Sequence, residues 1–446
     1  MPPSVQPIDF LGEVKAIVSF INVETDVGRG RGLVRLSRDA NDGGKYKAFS
    51  LFTAMHELNG FEESVSSRRP HGVRHGYNPG KRNWLELRTE EQSFTNTEPT
   101  VLIIGAGQSG LTLAARLRHL NVSTLIVDRN ERIGDNWRKR YHHLVLHDPV
   151  FYDHLPYINF PPGYPKFIPK DKLADWFESY AKMLELNTWT STELKSLKYS
   201  DTEKRWTVNL VRSVNGDIES RTLRPRFVVQ ATGLSGEKNF PLNINGINDF
   251  QGDLLCHSSE FPGATPNSTG KKAIVVGCCN SALDIAQDFC ENGYDTTVIQ
   301  RSSTYVMSSE DGLAVALGAL YCEGAPPVEE ADLIFVSIPN QMLKRLHLDS
   351  FKEIARRDAT LRDGLTKAGF KLDEGPDNSG LYMKYFQRGG GYYIDVGAAQ
   401  LIIDGKIKVK QGQEISSVNA HSLTFSDGTE LPADEVVFAT GFLNMR

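Results

Sequence analysis

The stretch TVLIIGAGQSGLTLAARLRHLNVSTLIVDR, residues Thr100–Arg129, carries the strongest structural signal in the chain. Val101–Ile104 is a continuous apolar run, which is typical of a strand buried on both faces of a parallel sheet. It leads directly into Gly105, Gly107 and Gly110, which have the GxGxxG spacing of a strand-to-helix turn. The pattern therefore predicts a buried strand, a tight loop and a helix that begins beside the loop.

Each glycine has its own physical role in such a loop. The first permits the tight turn, the second lets the backbone approach a pyrophosphate, and the third lets the helix pack close to the sheet. The first N–H groups of the helix, near Gln108 and Ser109, would meet the phosphates at the positive end of the helix dipole. Leu113, Leu117 and Leu120 recur at i, i+4 and i+7, which predicts that they form the buried side of this helix.

A second apolar run ends at Asp128, about 20 residues beyond the glycines, where a carboxylate can accept hydrogen bonds from ribose hydroxyls. Strand, loop, helix, second strand and acid occur in the expected order, so we interpret the stretch as a dinucleotide-binding unit rather than a chance glycine turn. Arg129, directly after the acid, either folds over the adenine or is a surface arginine.

A second stretch, GKKAIVVGCCNSALDIAQDFCENGYDTTVIQRSS, repeats this order with different chemistry. Gly277 makes the turn, and the small residues Cys279 and Ala282 replace the second and third glycines. Asn280 and Ser281 add polar atoms at the predicted helix N-terminus. The loop still suits a dinucleotide, with slightly less room for the pyrophosphate.

The helix of this second unit is predicted to bury Ile285, Ala286 and Phe289. The strand after it ends in Arg301 and Ser302 rather than in an acid. A basic end rich in hydroxyls favours a 2′-phosphate over a free 2′-hydroxyl, and therefore NADP over NAD. The alternative is a degenerate βαβ unit whose paired cysteines only fill space.

Composition excludes several other classes of protein. The chain has 446 residues and a formal net charge of −5, so no global basic field indicates nucleic acid as a partner. The basic stretch SSRRPHGVRHGYNPGKRNW could be a nucleic-acid patch, but we interpret it as a linker. The longest apolar run, LAVALGALY, is too short to span a bilayer. Five cysteines without a CxxC pair favour reduced thiols in a cytoplasmic protein over a disulfide framework or a metal site.

Two such loops, with an acid after the first and an arginine after the second, suit a flavoprotein that uses NADPH. Over residues 99–446 the sequence resembles the flavin-containing monooxygenases, and is most similar to their YUCCA-like branch and its fungal relatives. FQGDLLCHSSEF is similar to the family motif FxGxxxHxxxF/Y, although four residues instead of three separate Gly252 from His257. The segments VVQATG, VVFATG and GGGYYIDVG match stretches that connect the two nucleotide domains of the family.

The stretch IGDNWRKRYHHLVLHDP resembles the part of the family that lies against the flavin. The resemblance implies that Trp137 is the aromatic residue at the flavin. It also implies that His147, at a position that is histidine in the YUCCA-like branch, is a polar group there and the candidate catalytic residue. A structural role for this lone histidine is the alternative, and His257 is better explained as structural support in its loop.

The resemblance implies an α/β fold with two Rossmann-like domains. An FAD-binding domain would comprise residues 99–235 and 389–446, with a smaller NADP-binding domain, residues 236–388, inserted into it. Residues 1–60 resemble the second half of a nuclear-transport-factor-like cone, a partial α+β segment, and residues 61–98 are the predicted linker. Half of such a cone would expose its concave apolar face unless another surface covers it.

The family's activity would be an FAD- and NADPH-dependent monooxygenation. One oxygen atom of O2 would pass, through a flavin hydroperoxide, to a small substrate. The resemblance allows a nitrogen or sulfur nucleophile, an arylpyruvate or a ketone, and we favour the first two. The segment after QRSS either covers the substrate pocket or only packs around the NADP-binding domain.

The chain stops five residues after Gly441, where the family continues, so we expect a C-terminal truncation. A truncated flavoprotein that oxidises NADPH without oxygenating a substrate is therefore one alternative function. A non-catalytic nucleotide-binding protein is the other.

Overall fold

The structure is a computed structural model that describes residues 3–72, 80, 82–233 and 237–443. The chain divides into two compact units. The larger unit combines residues 1–56, 140–152 and 238–442, and the smaller unit combines residues 57–139, 153–237 and 443–446. Among the helices of the described ranges, none is both long enough and apolar enough to cross a bilayer.

The chain begins with four strands: β1 (Ser4–Pro7), β2 (Lys15–Glu24), β3 (Gly28–Arg38) and β4 (Tyr46–Leu58). They form one sheet in the order β1-β2-β3-β4, with antiparallel pairing between β1 and β2 and between β2 and β3. Among the described residues up to position 60, the only helical element is one 3-10 turn, Ala40–Asp42.

The described part of the smaller unit contains four α-helices and seven strands. In chain order these are α1 (Trp84–Ser93), β5 (Val101–Ile104), α2 (Gln108–His119), β6 (Thr124–Val127), α3 (Asp135–Arg138), α4 (Lys170–Met183), β7 (Thr188–Trp189), β8 (Thr192–Ser200), β9 (Arg205–Val214), β10 (Asp217–Leu223) and β11 (Phe227–Gln230). A parallel sheet has the order β11-β5-β6-β7, and an antiparallel sheet has the order β10-β9-β8.

The central strand of the parallel sheet is the one that the sequence predicts. Strand β5 pairs in parallel with β6 on one side and with β11 on the other. Its residues Leu102 and Ile103 are fully buried. The strand–loop–helix–strand order of the first nucleotide-binding unit is confirmed.

The predicted buried side of α2 is wrong. The residues that α2 buries most deeply are Leu111, Ala114 and Ala115, at 0%, 3% and 0% exposure. Of the three leucines predicted to be buried, Leu120 is 39% exposed and the other two are only half-buried. The third glycine of the loop brings the helix so close to the sheet that small side chains fill most of the contact.

The predicted linker of residues 61–98 needs correction, because it contains α1. This helix starts with a capping box: the Asn83 side chain accepts from the Glu86 N–H at 2.9 Å, and the Glu86 carboxylate accepts from the Asn83 N–H at 2.7 Å. Arg88 is buried and donates to the Asn187 amide oxygen at 2.9 Å. The helix therefore packs on the smaller unit. Part of the basic stretch, residues 73–79 and 81, lies outside the described residues.

The remainder of the larger unit alternates strands and helices. Its strands are β12 (Leu254–His257), β13 (Lys272–Val276), β14 (Asp295–Gln300), β15 (Tyr305–Ser308), β16 (Tyr392–Asp395), β17 (Ile407–Gln411), β18 (Ile415–Asn419), β19 (Ser422–Phe425), β20 (Glu430–Pro432) and β21 (Glu435–Phe438). Its helices are α5 (Asn280–Glu291), α6 (Asp311–Leu317), α7 (Val328–Val336), α8 (Asn340–Arg357), α9 (Ala359–Lys367), α10 (Gly380–Arg388) and α11 (Ala398–Ile403). The main sheet is parallel, in the order β12-β21-β13-β14-β17.

This sheet also corrects the predicted domain boundary at residue 389. Strand β16 pairs with β15, β17 pairs with β14, and β21 lies between β12 and β13. Residues 389–442 therefore belong with residues 238–388 in the larger unit, not with residues 99–235. The hydrogen bonds of β17 and β21 complete the parallel sheet around the second loop. From the sequence alone, the domain that contains this loop is predicted to end at residue 388.

One face of the N-terminal sheet is covered within the larger unit. Ala16, Val18 and Leu33 on this face are buried, and helix α7 packs against β3. The Arg31 guanidinium on β3 pairs with the Glu330 carboxylate on α7 at 3.2 Å. Helix α7 is thus part of the surface that covers this face of the sheet.

Candidate cofactor-binding sites

Two of the three glycines in the first loop are required by the fold of the smaller unit. Gly105 has φ +110°, and a Cβ atom there would lie 2.3 Å from the carbonyl oxygen of Ala231. A Cβ atom at Gly110 would lie 2.0 Å from the carbonyl oxygen of Gly105. Side chains at these two positions would collide with backbone, so both glycines hold the loop against the sheet.

Gly107 differs, because nothing in the described part of the protein requires a glycine there. It has φ −81°, which any residue adopts, and it forms the N-cap of α2. The nearest atom to a Cβ at this position is Nδ2 of Asn136, at 3.5 Å, an ordinary contact. A glycine without a packing reason leaves space beside the free N–H groups of the α2 N-terminus, at Gln108 and Ser109. That is the space a pyrophosphate needs.

Asp128 follows β6 and closes the loop. Its Oδ2 atom accepts a hydrogen bond from the Ala106 N–H at 2.7 Å, and its Oδ1 atom accepts one from the Asn130 N–H at 2.8 Å. A carboxylate has further lone pairs, so these bonds fix its orientation and leave acceptor capacity for a ribose. Arg129 beside it is exposed.

Trp137 provides an independent indication of a ligand in the smaller unit. It lies on α3, and its indole Nε1 is buried without a hydrogen-bond partner among the described residues. A buried donor of this kind is usually paired. The residues present, an open cradle at Gly107, an oriented Asp128 and an unpaired indole N–H, fit a flavin dinucleotide.

The second loop lies in the larger unit and repeats the backbone of the first. Gly277 has φ +133°, and a Cβ there would lie 2.6 Å from the carbonyl oxygen of Ala439. Cys279, the N-cap of α5, has φ −102° and ψ −173°, close to the φ −81° and ψ −174° of Gly107. The predicted buried face of α5 is confirmed, since its three residues are fully buried: Ile285, Ala286 and Phe289.

The polar residues of this loop are partly engaged within the protein. The Asn280 side-chain oxygen accepts a hydrogen bond from the Ile394 N–H at 3.0 Å, which ties the start of α5 to β16. Ser281, the next residue, is close enough to the Tyr141 hydroxyl to lower its pKa. Both residues lie at the N-terminus of α5, as predicted, and both also have structural partners.

The end of β14 carries the predicted basic position. The Arg301 side chain is 75% exposed, and its nearest carboxylate, Glu414, is 3.9 Å away and 74% exposed. Ser302 is also exposed. By contrast, Gln300 is fully buried and exchanges two hydrogen bonds with the backbone of Lys371, at 2.7 and 2.9 Å. Arg301 is therefore available to an anionic group, whereas Gln300 is structural.

His147 belongs to a buried polar cluster in the larger unit. Its Nε2 lies 3.0 Å from Oδ2 of Asp284, a residue of α5, and the Tyr141 hydroxyl donates to the same oxygen at 2.7 Å. His147 is 9% exposed, and its Nδ1 is buried without a hydrogen-bond partner among the described residues. The unpaired nitrogen leaves this ring one polar atom for a ligand.

Asp284 is the main group that favours the charged form of this ring. Burial by itself lowers the pKa of the His147 imidazole, but the hydrogen bond and negative charge of Asp284, together with smaller contributions from the Ile394 backbone and the Asp148 charge, outweigh burial. The net result is a pKa above the ordinary value for histidine. Burial, followed by the charge of Asp284, raises the pKa of the Tyr141 hydroxyl. The cluster thus holds a neutral phenol and favours a protonated imidazole.

Asp284→Asn should lower the pKa of His147, because the variant loses the negative charge that contributes to raising it. With a raised pKa, the His147–Asp284 pair stabilises the fold fully at pH values below about 6.5, the ordinary histidine pKa, and this contribution is lost as pH rises through the raised value. The free energy of unfolding of the wild type, relative to that of the variant, should therefore fall with increasing pH. NMR titration of the imidazole signals, assigned with His147→Asn, measures the pKa directly.

Tyr141→Phe is the matched control for this prediction. It removes a hydrogen bond to the same Asp284 oxygen but leaves the carboxylate charge, so the pKa of His147 should remain raised. If Asp284→Asn leaves the pKa of His147 unchanged, the carboxylate does not control the ring.

His257 has the structural role that its sequence context favours. Its imidazole is fully buried, with Nδ1 at 2.8 Å from the Ser259 hydroxyl and Nε2 at 2.9 Å from the Gly441 carbonyl oxygen. Both ring nitrogens are thus paired with groups in the larger unit. The ring ties the FQGDLLCHSSEF motif to the second ATG turn.

The structure distributes the predicted residues between its two units. The smaller unit holds Gly105, Gly107, Gln108, Ser109, Gly110, Asp128, Arg129 and Trp137. The larger unit holds His147, Gly277, Asn280, Ser281, Arg301 and Ser302. Sequence reasoning did not single out Asp284 or Tyr141. The sequence did offer one signal for Asp284: it is a carboxylate within the predicted α5 helix, one turn beyond Asn280.

Known proteins resemble this chain in sequence and in fold. The family model described as pyridine nucleotide-disulphide oxidoreductase matches residues 102–314. The chain is 30% identical, over 347 residues, to the probable indole-3-pyruvate monooxygenase YUCCA10 of Arabidopsis thaliana, covering 77% of this chain and 82% of that protein. It is also 28% identical to the indole-3-pyruvate monooxygenase YUCCA1 of Oryza sativa subsp. japonica, covering 77% of each.

Among solved structures, cyclohexanone monooxygenase with bound epsilon-caprolactone is similar in fold. The TM-score is 0.57 at 19% identity, and the match covers 78% of this chain and 74% of that one. At these identities the likeness shows the fold alone, an α/β fold with Rossmann-like domains. The sequence relatives show the family: the chain belongs to the flavin-containing monooxygenases, in their YUCCA-like branch, and is a flavin-dependent oxidoreductase.

Proposed function

We propose that this protein is an FAD- and NADPH-dependent monooxygenase that transfers one oxygen atom of O2 to a small organic substrate. The observation that carries the proposal is the open backbone position at Gly107, where a glycine has no packing reason and lies at the N-terminus of α2. Asp128 and the unpaired indole N–H of Trp137 support FAD as the occupant.

NADPH is the proposed reductant. The loop at Gly277 has the same backbone at its helix N-cap as the first loop, and Arg301 follows the next strand with an exposed guanidinium. A guanidinium binds a 2′-phosphate through paired hydrogen bonds. NADH has no 2′-phosphate and therefore cannot form them. The solved structure of OTEMO with FAD and NADP, similar in fold at a TM-score of 0.55, provides a precedent for both cofactors on such a scaffold.

When FAD is bound, it supplies the electron-transfer and oxygen chemistry. The residues of the chain bind the cofactors, orient the substrate and protect the reaction site from water. In this proposal His147 donates a hydrogen bond from its free Nδ1 to an anionic oxygen at the reaction site. Its raised pKa, to which Asp284 contributes most, favours the charged form of that donor. Asp284 acts through His147 and is therefore a positioning residue.

An arylpyruvate is the proposed substrate class, with a nitrogen or sulfur nucleophile as the other class that the sequence motifs allow. The named substrate of the sequence relatives, indole-3-pyruvate, supports the first. The balanced reaction consumes an arylpyruvate, O2, NADPH and a proton, and yields an arylacetate, CO2, NADP+ and water. The bond between the keto carbon and the carboxylate breaks, and that keto carbon receives the oxygen.

The test measures coupling. The purified chain is supplied with FAD, NADPH and O2, together with indole-3-pyruvate, a thioether or a tertiary amine. NADPH consumption, product and hydrogen peroxide are then quantified. With indole-3-pyruvate we expect one indole-3-acetate per NADPH and little peroxide.

The other outcomes distinguish the alternatives. An N-oxide or S-oxide without indole-3-acetate would replace the proposed substrate class by the nucleophile class. Peroxide equal to the NADPH consumed with every substrate would indicate an uncoupled oxidase. No NADPH consumption in the presence of FAD would indicate a non-catalytic nucleotide-binding protein. We also propose a cytoplasmic location, which the free thiols of five cysteines support.

A further inference from the structure

The larger unit contains a cavity between its N-terminal sheet and two helices, remote in sequence from both nucleotide loops. Its volume is about 140 Å³. Aliphatic side chains from β2, β3, α7, α8 and the connection between the two helices make up much of its lining: Val18, Leu33, Ile334, Ile338, Met342 and Leu346. The cavity is thus a pocket with predominantly aliphatic walls, bounded on one side by a sheet.

One wall of this cavity carries a buried cation. Arg35, on β3, is 4% exposed. Its guanidinium donates to the Ser337 carbonyl oxygen at 3.0 Å, to the Ser337 hydroxyl at 2.9 Å and, weakly, to the Ser50 hydroxyl at 3.4 Å. These three acceptors are neutral, and within the described residues Arg35 forms no ion pair with a carboxylate. The nearby Arg31, by contrast, pairs with Glu330.

A buried guanidinium without a counter-ion is an unusual arrangement. Proteins pair a buried charge because an unpaired charge in a medium of low polarity destabilises the fold. A guanidinium has five N–H donors, so three contacts leave donors unused. Burial also lowers the pKa of Arg35, with no opposing charge to restore it. The site has the electrostatics of an anion receptor.

The acid at the edge of the cavity does not supply the missing charge. Asp9 contributes to the lining, but its two carboxylate oxygens accept hydrogen bonds from the backbone N–H groups of Glu13 and Val14, at 3.2 and 2.8 Å. The Gln6 side chain, also in the lining, donates to the Ser4 hydroxyl. The Asp9 carboxylate is therefore directed to its own turn.

We propose that this cavity binds a small monocarboxylic acid, whose carboxylate pairs with Arg35 and whose apolar body lies among the aliphatic side chains. An apolar cavity of about 150 Å³ holds one benzene ring, so the volume suits an acid with a six-carbon body. Charge and shape together select the class: the carboxylate replaces the absent counter-ion, and the walls provide apolar contact. The site is a second small-molecule site, independent of the proposed oxygenation.

Benzoate is the probe, and benzyl alcohol is a neutral molecule of nearly the same shape. Binding to the full chain is measured by calorimetry and by saturation-transfer NMR. We expect benzoate to bind at least tenfold more tightly than benzyl alcohol, since only benzoate forms the charge-assisted bonds. Arg35→Gln should abolish this preference. Arg38→Gln, which changes an exposed arginine on the same strand, should retain it.

A second variant keeps the test decisive if Arg35→Gln fails to fold. Met342→Phe fills the cavity without touching the bonds of Arg35, and should block benzoate binding while leaving NADPH oxidation at the wild-type rate. Benzoate binding that survives both Arg35→Gln and Met342→Phe would place the acid elsewhere and overturn the proposal. Absence of benzoate binding to the wild-type chain, or equal binding of benzyl alcohol, would also overturn it.

Discussion

Gly107→Val is expected to give a folded protein without flavin. A valine at φ −81° is unstrained, and its Cβ would meet only the Asn136 side chain, at 3.5 Å. The added methyl groups would occupy the space in which a pyrophosphate approaches the α2 N-terminus. Losing two charge-assisted hydrogen bonds, at about 1.5–3 kcal/mol each, weakens FAD binding by at least about 100-fold. The FAD content of the purified variant, read from its visible absorbance, measures the effect.

Two other glycines in the smaller unit provide matched controls. A Cβ atom added at Gly163 would have no described atom within 4 Å beyond its chain neighbours, so Gly163→Val should leave both fold and FAD content unchanged. Gly110→Val places a Cβ 2.0 Å from the Gly105 carbonyl oxygen and should destabilise the fold itself. Circular dichroism melting distinguishes the loss of FAD by a folded protein from the loss of the fold itself. A Gly107→Val protein that retains wild-type FAD would contradict the assignment of the first loop.

Arg301→Ala is expected to weaken NADPH binding by about 10-fold or more while leaving NADH binding unchanged. The guanidinium would pair with the 2′-phosphate, and a hydrogen bond to a charged group contributes about 1.5–3 kcal/mol. Exposure does not argue against this role, because the side chain is free to reorient. Its present partner, Glu414, is 3.9 Å away and 74% exposed, so the loss of that pair has little effect on stability.

The measurement for this variant is the rate of anaerobic flavin reduction as a function of NADPH and of NADH concentration. Glu414→Gln removes a carboxylate that competes with the 2′-phosphate for Arg301. It should therefore strengthen NADPH binding slightly, whereas Arg301→Ala weakens it. Arg345→Ala, at a side chain of the larger unit that is 69% exposed, should change neither cofactor's binding. Equal weakening of NADPH and NADH by Arg301→Ala would show that the arginine does not read the 2′-phosphate.

The two nucleotide-binding units could be predicted from sequence because their signals are local. An apolar strand, a turn at Gly105 or Gly277, and a helix directly after it lie within about 20 residues, and the physical reasons for each residue type act over the same distance. The buried face of α5 followed from its periodicity. The face of α2 did not, because at close approach to the sheet packing favours Ala114 over Leu113.

Other features depend on distant pairing and escaped prediction. Strand β21 joins its sheet through residues about 160 positions away in sequence, so the boundary placed at residue 389 could not be corrected locally. The Asp284–His147 contact spans a comparable distance. Helix α1 could have been found, since Asn83 and Glu86 form a recognisable capping box. The predicted truncation concerns the chain end, where residues 444–446 lie outside the described residues.

The central claim is that the two loops hold FAD and NADPH in one working enzyme. The visible spectrum of the purified chain, recorded before and after anaerobic addition of NADPH, tests it most directly. We expect flavin bands that bleach with NADPH and bleach more slowly with NADH at the same concentration. A colourless protein that free FAD cannot reconstitute, or flavin bands that NADPH leaves unchanged, would contradict the claim.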